Sequence, residues 1–303
     1  MKKIEYPDTW NMDYDFPAMV VVEPTNSCNL HCSICPQKDL KRKPQMLDMK
    51  LYNKIVLEVA EHPNTILWPA LMGEPLLLRD KIIKMVESAK KSGIKNVSLN
   101  TNGMLLSYDV FSKLHNVGLD KIIIGVDAFT EDTYNKIRCG GDFSEVDYNI
   151  KSAILLKEYK EWKNPEIVLQ FIVSEKNKHE EKYFIKYWTE HGATVKVRRA
   201  LEWGKNGVKM SELRNAKVKR FPCPWIMRTI SIHSNGNIIQ CDADWGGNYP
   251  VGNIKNMTIQ QAWNKLKKRR DEQVRGIFKG DMCEDCHDWK CGLSQWYYPK
   301  GDK

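Results

Sequence analysis

A repeated alternation of short β-branched segments with longer helical segments constrains the fold of this chain more than any other feature. Between Ala18 and Ala200, apolar runs of strand-like composition are separated by stretches with helical periodicity. Strands that alternate with helices in this way pair in parallel and carry the helices on the faces of the sheet. We count six such units, fewer than the eight of a closed barrel. The pattern therefore predicts an α/β fold, a partial (β/α)6 barrel that is open and curved.

The boundaries of these elements follow from the hydrophobic periodicity. The predicted strands are Met19–Pro24, Thr65–Met72, Asn96–Thr101, Lys121–Asp127, Ile167–Ser174 and Thr194–Arg199. The predicted helices are Lys50–Glu61, Lys81–Ser92, Tyr108–Asn116, Asp142–Tyr159 and Lys178–His191. In barrels of this kind the loops after the strands carry the chemistry, so we expect functional residues at those loops.

The remainder of the chain predicts a smaller second domain. We divide the sequence into an N-terminal extension (1–17), the barrel (18–200), a basic linker (201–220) and a C-terminal domain (221–303). In that domain Thr229–His233 and Ile238–Cys241 flank an Asn235-Gly236 pair, which is a strong hairpin signal. Residues Thr258–Gly276 are predicted to form one helix.

Composition and charge exclude several classes of protein. Hydrophobic residues make up 42% of the 303 residues, enough for a full core. No apolar run approaches the roughly 18 residues of a membrane span, and the N-terminus does not resemble a signal peptide. We therefore expect a cytoplasmic protein with no membrane partner. The net charge of +9 is dispersed, and the basic run Lys265–Arg270 is interpreted as a solvated helix face. We therefore expect no nucleic-acid partner.

The chain has nine cysteines, and their number and spacing indicate metal or redox chemistry. An odd count without a secretion signal does not suit a disulfide framework. Cys28, Cys32 and Cys35 lie in one loop directly after the first predicted strand. A cubane iron–sulfur cluster normally takes four thiolates, so three leave one iron free for an exogenous ligand. The alternative is a zinc site completed by His31 or by a distant residue.

A second set of cysteines lies in the C-terminal domain and consists of Cys223, Cys241, Cys283 and Cys286. Four thiolates close a metal site completely. Such a site suits either a second iron–sulfur cluster or structural zinc, and spacing alone does not separate the two. Cys291 is an alternative to one of the four assumed ligands.

The first cysteine loop resembles the signature of the radical S-adenosylmethionine (radical SAM) enzymes. Ile34 stands where that family often has an aromatic residue, and Met72-Gly73-Glu74-Pro75 is similar to its glycine-glycine-glutamate-proline motif, with Met72 in place of the first glycine. The resemblance implies a [4Fe-4S] cluster that binds SAM and a 5′-deoxyadenosyl radical that abstracts a hydrogen atom from a substrate carbon. It assigns SAM contacts to Gly73, Glu74, Pro75, Asn102, Asp127 and Gln170, with Arg199 as a weaker candidate.

The C-terminal cysteines resemble the SPASM/twitch module that follows the barrel in part of this family. After Cys286 only Cys291 remains, so the shorter twitch form with one auxiliary [4Fe-4S] cluster fits best, similar to that of the BtrN-type aminocyclitol dehydrogenases. Four tryptophans surround these cysteines and are expected to shield the cluster from water; they are Trp225, Trp245, Trp289 and Trp296.

The resemblance implies an oxidoreductase, with several alternatives. The leading hypothesis is oxidation of a secondary alcohol in a sugar-like or aminocyclitol small molecule, with a flavodoxin or ferredoxin as electron donor. A peptide maturase is the main alternative, although the barrel is expected to begin near residue 18 and to leave no room for a leader-binding domain. An RNA-modifying enzyme ranks lower, and a zinc-stabilised binding module is the non-enzymatic alternative.

Two questions about the chemistry stay open at the level of sequence. Cys139 fits neither cysteine set; it is either an inert buried thiol or a hydrogen-atom donor, which would make the enzyme an epimerase. A base must remove the hydroxyl proton during oxidation. Arg138, Glu202 and Asp244 lie in suitable regions of the sequence, but none is singled out.

Overall fold

The computed structural model describes residues 14–203, 220–280, 282–292 and 294–299, with the side chains at 291 and 292 left out. Most of the predicted N-terminal extension (1–17) and most of the predicted linker (201–220) lie outside these ranges. Within them the predicted alternation of strands and helices is confirmed.

The centre of the fold is a mixed sheet. Its strands are β1 (Met19–Val22), β2 (Ile66–Pro69), β3 (Asn96–Thr101), β4 (Lys121–Gly125), β5 (Glu166–Val173), β6 (Thr194–Arg199), β7 (Thr229–Ile232), β8 (Asn237–Ile239), β9 (Pro250–Asn253) and β10 (Gln295–Tyr297). Strands β1 to β6 pair in parallel in chain order. These six are the predicted strands of the partial barrel, and β3 and β6 have the predicted ends.

Helices connect these strands. They are α1 (Met49–Ala60), α2 (Asp80–Lys91), α3 (Tyr108–Asn116), α4 (Glu131–Ile137), α5 (Phe143–Tyr159), α6 (Glu181–Glu190), α7 (Pro224–Arg228), α8 (Ile259–Lys265) and α9 (Lys267–Val274). Side-chain caps set several of their starts: Asp48, Ser107 and Asp142 accept hydrogen bonds from main-chain N–H groups of the first turns of α1, α3 and α5. None of the helices in the described ranges has the length and apolar composition to cross a membrane.

The two faces of the sheet differ in character because side chains alternate along each strand. On β3 and β4, Val97, Leu99, Ile122 and Ile124 are fully buried in the main hydrophobic core, which includes residues of the helices. Each such side chain contributes about 1.5–3 kcal/mol to folding by leaving water. The opposite face of the strands lines a cavity, described below.

The C-terminal part is joined to the barrel sheet, which was not predicted. Strand β7 pairs in parallel with β1, with Met19 opposite Thr229, and β10 pairs antiparallel with β6, with Trp296 opposite Lys196. Among the described strands the sheet therefore runs β10-β6-β5-β4-β3-β2-β1-β7-β8-β9. The exposed backbone groups at both edges of the parallel sheet are thereby paired, which removes two edges open to other chains.

Two further differences concern helices. The prediction of one helix over Thr258–Gly276 is wrong, because α8 and α9 are separated at Leu266. The Trp263 carbonyl accepts from Leu266 N–H at 3.1 Å and from the Arg270 guanidinium at 2.9 Å, so a three-residue turn interrupts the regular helix. The sequence analysis also missed α4, which is short and begins at the Thr130 cap.

Candidate functional site

Cys28, Cys32 and Cys35 lie in the loop after β1 and line one cavity of about 590 Å³. Two main-chain hydrogen bonds attach this loop to the end of α4 and the turn that follows it. His31 N–H donates to the Cys139 carbonyl at 3.0 Å, and Ser33 N–H donates to the Ile137 carbonyl at 2.8 Å. The three thiols therefore lie on a loop held by distant parts of the barrel.

The environment of these thiols fits an iron–sulfur cluster. Burial, with a smaller contribution from the neighbouring thiols, raises the pKa of Cys28 to about 11 and that of Cys35 to about 12. Without a metal these buried thiols keep their protons, and a bound metal stabilises the thiolate form by replacing those protons. Thiolates are also the usual ligands of iron–sulfur clusters. Among the described residues, no three Cys, His, Asp or Glu side chains are grouped to hold a single metal ion. A cubane binds each thiolate through a different iron and does not need that grouping.

The loop after β2 packs backbone to backbone against the cysteine loop. Gly73 has φ +86°, and a Cβ at this position would lie 2.4 Å from the Thr25 carbonyl oxygen and 2.7 Å from that of Ser27. Glu74 N–H donates to the Ser27 carbonyl at 2.8 Å. Only glycine allows this approach.

The Glu74 carboxylate is buried and organises the next strand end. It accepts from Thr101 Oγ1 at 2.8 Å and from Asn102 N–H at 2.7 Å. Burial raises the pKa of Glu74, and these hydrogen bonds oppose that rise. The side-chain amide of Asn102 in turn donates from Nδ2 to Asn29 Oδ1 at 2.9 Å. This hydrogen bond connects the end of β3 to the cysteine loop.

Five of the six predicted SAM contacts come together at the cavity. They line the same cavity as the three thiols and lie within β5 or in the loops after β2 and β3; they are Gly73, Glu74, Pro75, Asn102 and Gln170. The Gln170 side chain is fixed by Arg198, whose Nε donates to Gln170 Oε1 at 3.2 Å.

Asp127 is the exception, and its predicted contact with the ribose is not supported by its position. It is not part of the cavity lining, is fully buried, and has φ +60°. Its Oδ1 accepts from Ile172 N–H at 2.7 Å, and its Oδ2 forms an ion pair with Arg138 at 2.5 Å. Because β4 ends at Gly125 and the chain then turns, the carboxylate is directed to these internal partners.

Arg138 and Cys139 are neighbours with different environments. Arg138 lines the cavity, and its Nη1 lies 3.9 Å from Cys32 Sγ. The Cys139 thiol contacts the Lys136 carbonyl at 3.9 Å and is not part of the cavity lining. Of the two alternatives for Cys139, the hydrogen-atom donor is not supported by this placement, and the thiol is only partly buried.

The four C-terminal thiols also come together. Cys223, Cys241 and Cys283 are buried and pack with Trp289 in one cluster. Burial raises the pKa of Cys223 to about 12, with a further contribution from Cys283, and raises that of Cys241, which is influenced by Cys223, Cys286 and Cys283. This thiolate set fits the predicted auxiliary cluster. The Cys291 side chain lies outside the described residues, so its alternative role stays a prediction.

The cavity extends from the first thiols to residues that are close in sequence to the second set. Pro224 and Trp225, next to Cys223, and Asp242, next to Cys241, belong to its lining. Two of the four predicted shielding tryptophans, Trp225 and Trp296, likewise line the cavity. Trp245 and Trp289 are buried, as shielding requires.

Of the three residues considered as bases, only Arg138 lines the cavity. Glu202 is buried and pairs with His287 Nδ1 at 2.9 Å. Asp244 accepts from Asn248 N–H at 2.8 Å and from Tyr249 N–H at 2.9 Å. Both carboxylates therefore have structural partners away from the cavity.

The sequence analysis missed the cationic part of the cavity. Lys196, Arg198 and Arg228 belong to its lining, whereas the predicted Arg199 does not. The Lys196 ammonium lies 5.6 Å from the ring centre of Trp68 and 5.3 Å from that of Trp296. The alternation of side chains along β6 could have indicated this, because Lys196 and Arg198 lie on one face of the strand and Arg199 lies on the other.

Comparison with known proteins agrees with this arrangement. Residues 22–156 match the radical SAM superfamily, and residues 223–291 match the SPASM iron–sulfur cluster-binding domain. A probable GTP 3′,8-cyclase of Saccharolobus solfataricus is 33% identical over 161 residues, 53% of this chain and 49% of that protein. A protein of the same name from Methanocaldococcus jannaschii is 32% identical over 132 residues, 43% of each chain. The chain thus spans about half the length of these curated relatives.

Solved structures show the same fold over most of the chain. BtrN in complex with AdoMet and 2-DOIA superposes with a TM-score of 0.63 at 18% identity, covering 91% of this chain and 94% of BtrN. Streptococcus suis SuiB bound to the precursor peptide SuiA superposes with a TM-score of 0.68 at 16% identity, covering 93% and 72%. The two matched domains imply a [4Fe-4S] cluster that works with SAM and an auxiliary iron–sulfur cluster. The chain therefore combines a domain of the radical SAM superfamily with a C-terminal SPASM domain.

Proposed function

We propose that this protein is a radical SAM oxidoreductase that converts a secondary alcohol of a small, sugar-like substrate into a ketone. The bound cofactors would supply a 5′-deoxyadenosyl radical for hydrogen abstraction. Overall, the alcohol would give a hydrogen atom to the 5′-deoxyadenosyl radical, which becomes 5′-deoxyadenosine, an electron to the auxiliary cluster and a proton to a base. A flavodoxin or ferredoxin in the cytoplasm would supply the electron that starts each turnover.

The position of the cavity carries this proposal. Cys28, Cys32 and Cys35 form one part of its wall, and Trp225 and Asp242, each close in sequence to an auxiliary cysteine, form another. Its volume of about 590 Å³ is that of a small-molecule site. A substrate here would have hydrogen abstraction on one side and an electron acceptor on the other.

The lining also suits a radical reaction because tryptophan side chains contribute apolar surface to it. Trp68, Trp203, Trp225 and Trp296 all contribute to the wall. Such a wall limits the access of water to a reactive intermediate. The Trp68 indole is itself fixed, since its Nε1 donates to Asn100 Oδ1 at 2.9 Å.

The test is anaerobic reconstitution followed by incubation with SAM and dithionite, with measurement of iron, sulfide and 5′-deoxyadenosine. We expect about eight irons per chain for two cubanes and formation of 5′-deoxyadenosine by the wild-type protein. The triple variant Cys28→Ala, Cys32→Ala, Cys35→Ala should retain about four irons and form no 5′-deoxyadenosine.

The oxidation itself is tested with the double variant Cys223→Ala, Cys241→Ala and a panel of deuterated polyols and sugars. The wild-type protein should move deuterium from a substrate into 5′-deoxyadenosine and release a ketone. The double variant should form 5′-deoxyadenosine without the ketone. Zinc without sulfide in the wild-type protein would contradict the proposal, and deuterium transfer from peptides alone would assign the enzyme to peptide modification.

A further inference from the structure

The inner face of β6 carries two cations side by side in the cavity. Lys196 and Arg198 are two residues apart on this strand and both line the cavity, as expected for side chains on one face. The charged groups that act on the Lys196 ammonium are cations, Arg198 and Lys121. Burial, with these like charges, lowers the pKa of Lys196 to about 7.

The aromatic surroundings of Lys196 stabilise a cation but do not neutralise it. Its ammonium lies near the rings of Trp68 and Trp296, and cation–π contacts leave the charge in place. The nearest strand neighbours are Gln170 on β5 and Trp296 on β10, and neither carries a charge. Lys121 on β4 is itself paired with Glu166 at 2.8 Å.

A further cation of the cavity, Arg228, lies at the end of α7. Its Nε is buried and, within the part of the chain that the structure describes, has no hydrogen-bond partner. A buried cationic donor without a partner costs free energy. Arg228 thus provides an observation independent of β6 that points to a missing anionic or acceptor group.

The acids of the cavity already have partners. The Glu74 carboxylate accepts hydrogen bonds from Leu76, Thr101 and Asn102. The Asp242 carboxylate accepts from the Ser231 hydroxyl and also interacts electrostatically with the Arg198 guanidinium. Among the described residues, the lining contains five cationic side chains, Lys38 and Arg138 in addition to the three above, and two acids, Glu74 and Asp242. Arg138 is paired with Asp127.

We propose that the substrate of this cavity bears an anionic group, a carboxylate or a phosphate, which binds at Lys196 and Arg198, with Arg228 as a further cation of the site. Guanidinium groups bind both kinds of oxyanion through two parallel hydrogen bonds, and lysine adds a compact positive charge. This inference rests on the proposed function and narrows it. An acidic or phosphorylated sugar-like molecule fits the cavity, and a cationic aminocyclitol does not.

The experiment is calorimetric titration of the anaerobically purified holoenzyme, without reductant, at constant ionic strength. The probes are glucose, glucuronate and glucose 6-phosphate, which share a sugar ring and differ in charge. We expect at least one charged probe to bind about tenfold or more tightly than glucose, the effect of a charge-assisted hydrogen bond. A preference for glucuronate would indicate a carboxylate as the natural group, and a preference for glucose 6-phosphate would indicate a phosphate.

Variants identify the residues responsible. Lys196→Met and Arg198→Gln should each remove most of the preference for the charged probe, and Lys196→Arg should retain it. Lys255→Met is the matched control, because Lys255 is exposed and lies outside the cavity lining; it should behave as the wild-type protein. An iron content equal to that of the wild-type protein shows that a variant is folded. If Lys196→Met or Arg198→Gln does not fold, Arg228→Gln is titrated in its place and should likewise reduce the preference for the charged probe.

Three results would overturn the proposal. These are equal binding of glucose and both charged probes, no binding of either charged probe, and an unchanged preference in the double variant Lys196→Met, Arg198→Gln. Because the titration uses no reductant, it is independent of SAM cleavage. Failure of the oxidation test above therefore leaves this binding result separate and interpretable.

Discussion

Asp127 and Arg138 form an ion pair of 2.5 Å in which the Asp127 side chain is completely buried and the Arg138 side chain is 12% exposed. The same guanidinium reaches Cys32 Sγ at 3.9 Å. Gly125 leaves the space for it, since a Cβ there would lie 2.2 Å from Arg138 Nη2. The barrel thus holds a positive charge against one thiol of the first cysteine loop.

Replacing Arg138 should weaken both the fold and the adjacent metal centre. Arg138→Met leaves the buried Asp127 carboxylate unpaired, which costs about 3–5 kcal/mol of unfolding free energy. Loss of the positive charge near Cys32 should also lower the reduction potential of a cluster bound there. Anaerobic urea unfolding measures the first effect, and a redox titration followed by electron paramagnetic resonance measures the second.

Two further variants separate charge from packing at this position. Arg138→Lys should keep a potential close to that of the wild-type protein, because the positive charge remains. The double variant Asp127→Asn, Arg138→Met should recover part of the lost stability, because no unpaired charge is left. Equal potentials in Arg138→Met and in the wild-type protein would show that the guanidinium does not act on the cluster.

Gly73→Ala should disrupt the first metal site. An alanine Cβ would lie 2.4 Å from the Thr25 carbonyl oxygen, at a φ of +86°, so the cysteine loop must move. Gly93→Ala is the matched control, since Gly93 has φ +90° but nothing within 4 Å of the added Cβ. Gly93→Ala should lose about 1–2 kcal/mol from backbone strain alone and keep its iron.

Iron analysis and urea unfolding distinguish these two glycine variants. Gly73→Ala should retain only the auxiliary cluster, about four irons per chain, and should be less stable than Gly93→Ala. Wild-type iron content in Gly73→Ala would show that the two loops can separate without loss of the site.

Cys139→Ser should leave the reaction unchanged within about twofold. The Cys139 thiol contacts the Lys136 carbonyl and does not line the cavity, so it has no path to a substrate radical. The amounts of 5′-deoxyadenosine and product in the presence of SAM and dithionite measure the effect. Continued formation of 5′-deoxyadenosine with loss of product would instead restore the hydrogen-donor hypothesis.

His233 should make stability depend on pH. It is fully buried, and among the described residues both its ring nitrogens lack hydrogen-bond partners. Burial lowers its pKa from 6.5 to about 4, although Glu23 opposes the shift. The unfolded chain therefore binds a proton that the folded protein excludes, and stability falls as the pH decreases below about 6.5.

The expected loss between about pH 7.5 and about pH 5.5 is about 1 kcal/mol of unfolding free energy. Urea unfolding of the wild-type protein and of His233→Leu at both pH values isolates this contribution, because other acid-sensitive groups are common to both proteins. An identical pH dependence in the two would show that His233 is not responsible.

Local patterns were sufficient where neighbouring residues determine the structure. The spacing of Cys28, Cys32 and Cys35 keeps three thiols within eight residues of chain, directly after the first strand. The parallel alternation of strands and helices follows from hydrophobic periods that each segment carries by itself. For these reasons the barrel, the cysteine loops and the presence of Gly73, Glu74, Pro75, Asn102 and Gln170 at one cavity could be predicted from the amino-acid sequence, whereas their contacts with SAM stay a prediction.

Tertiary structure decided what depends on side-chain direction and on distant partners. On β6 a shift of one residue reverses the face, which is why Arg198 lines the cavity and Arg199 does not. The turn after β4 directs the Asp127 carboxylate to the Arg138 guanidinium. The residues around Asp127 in the sequence do not indicate this partner. Pairing of β7 with β1 and of β10 with β6 brings Arg228 and Trp296 to the cavity, because unpaired sheet edges must find partners wherever the chain provides them.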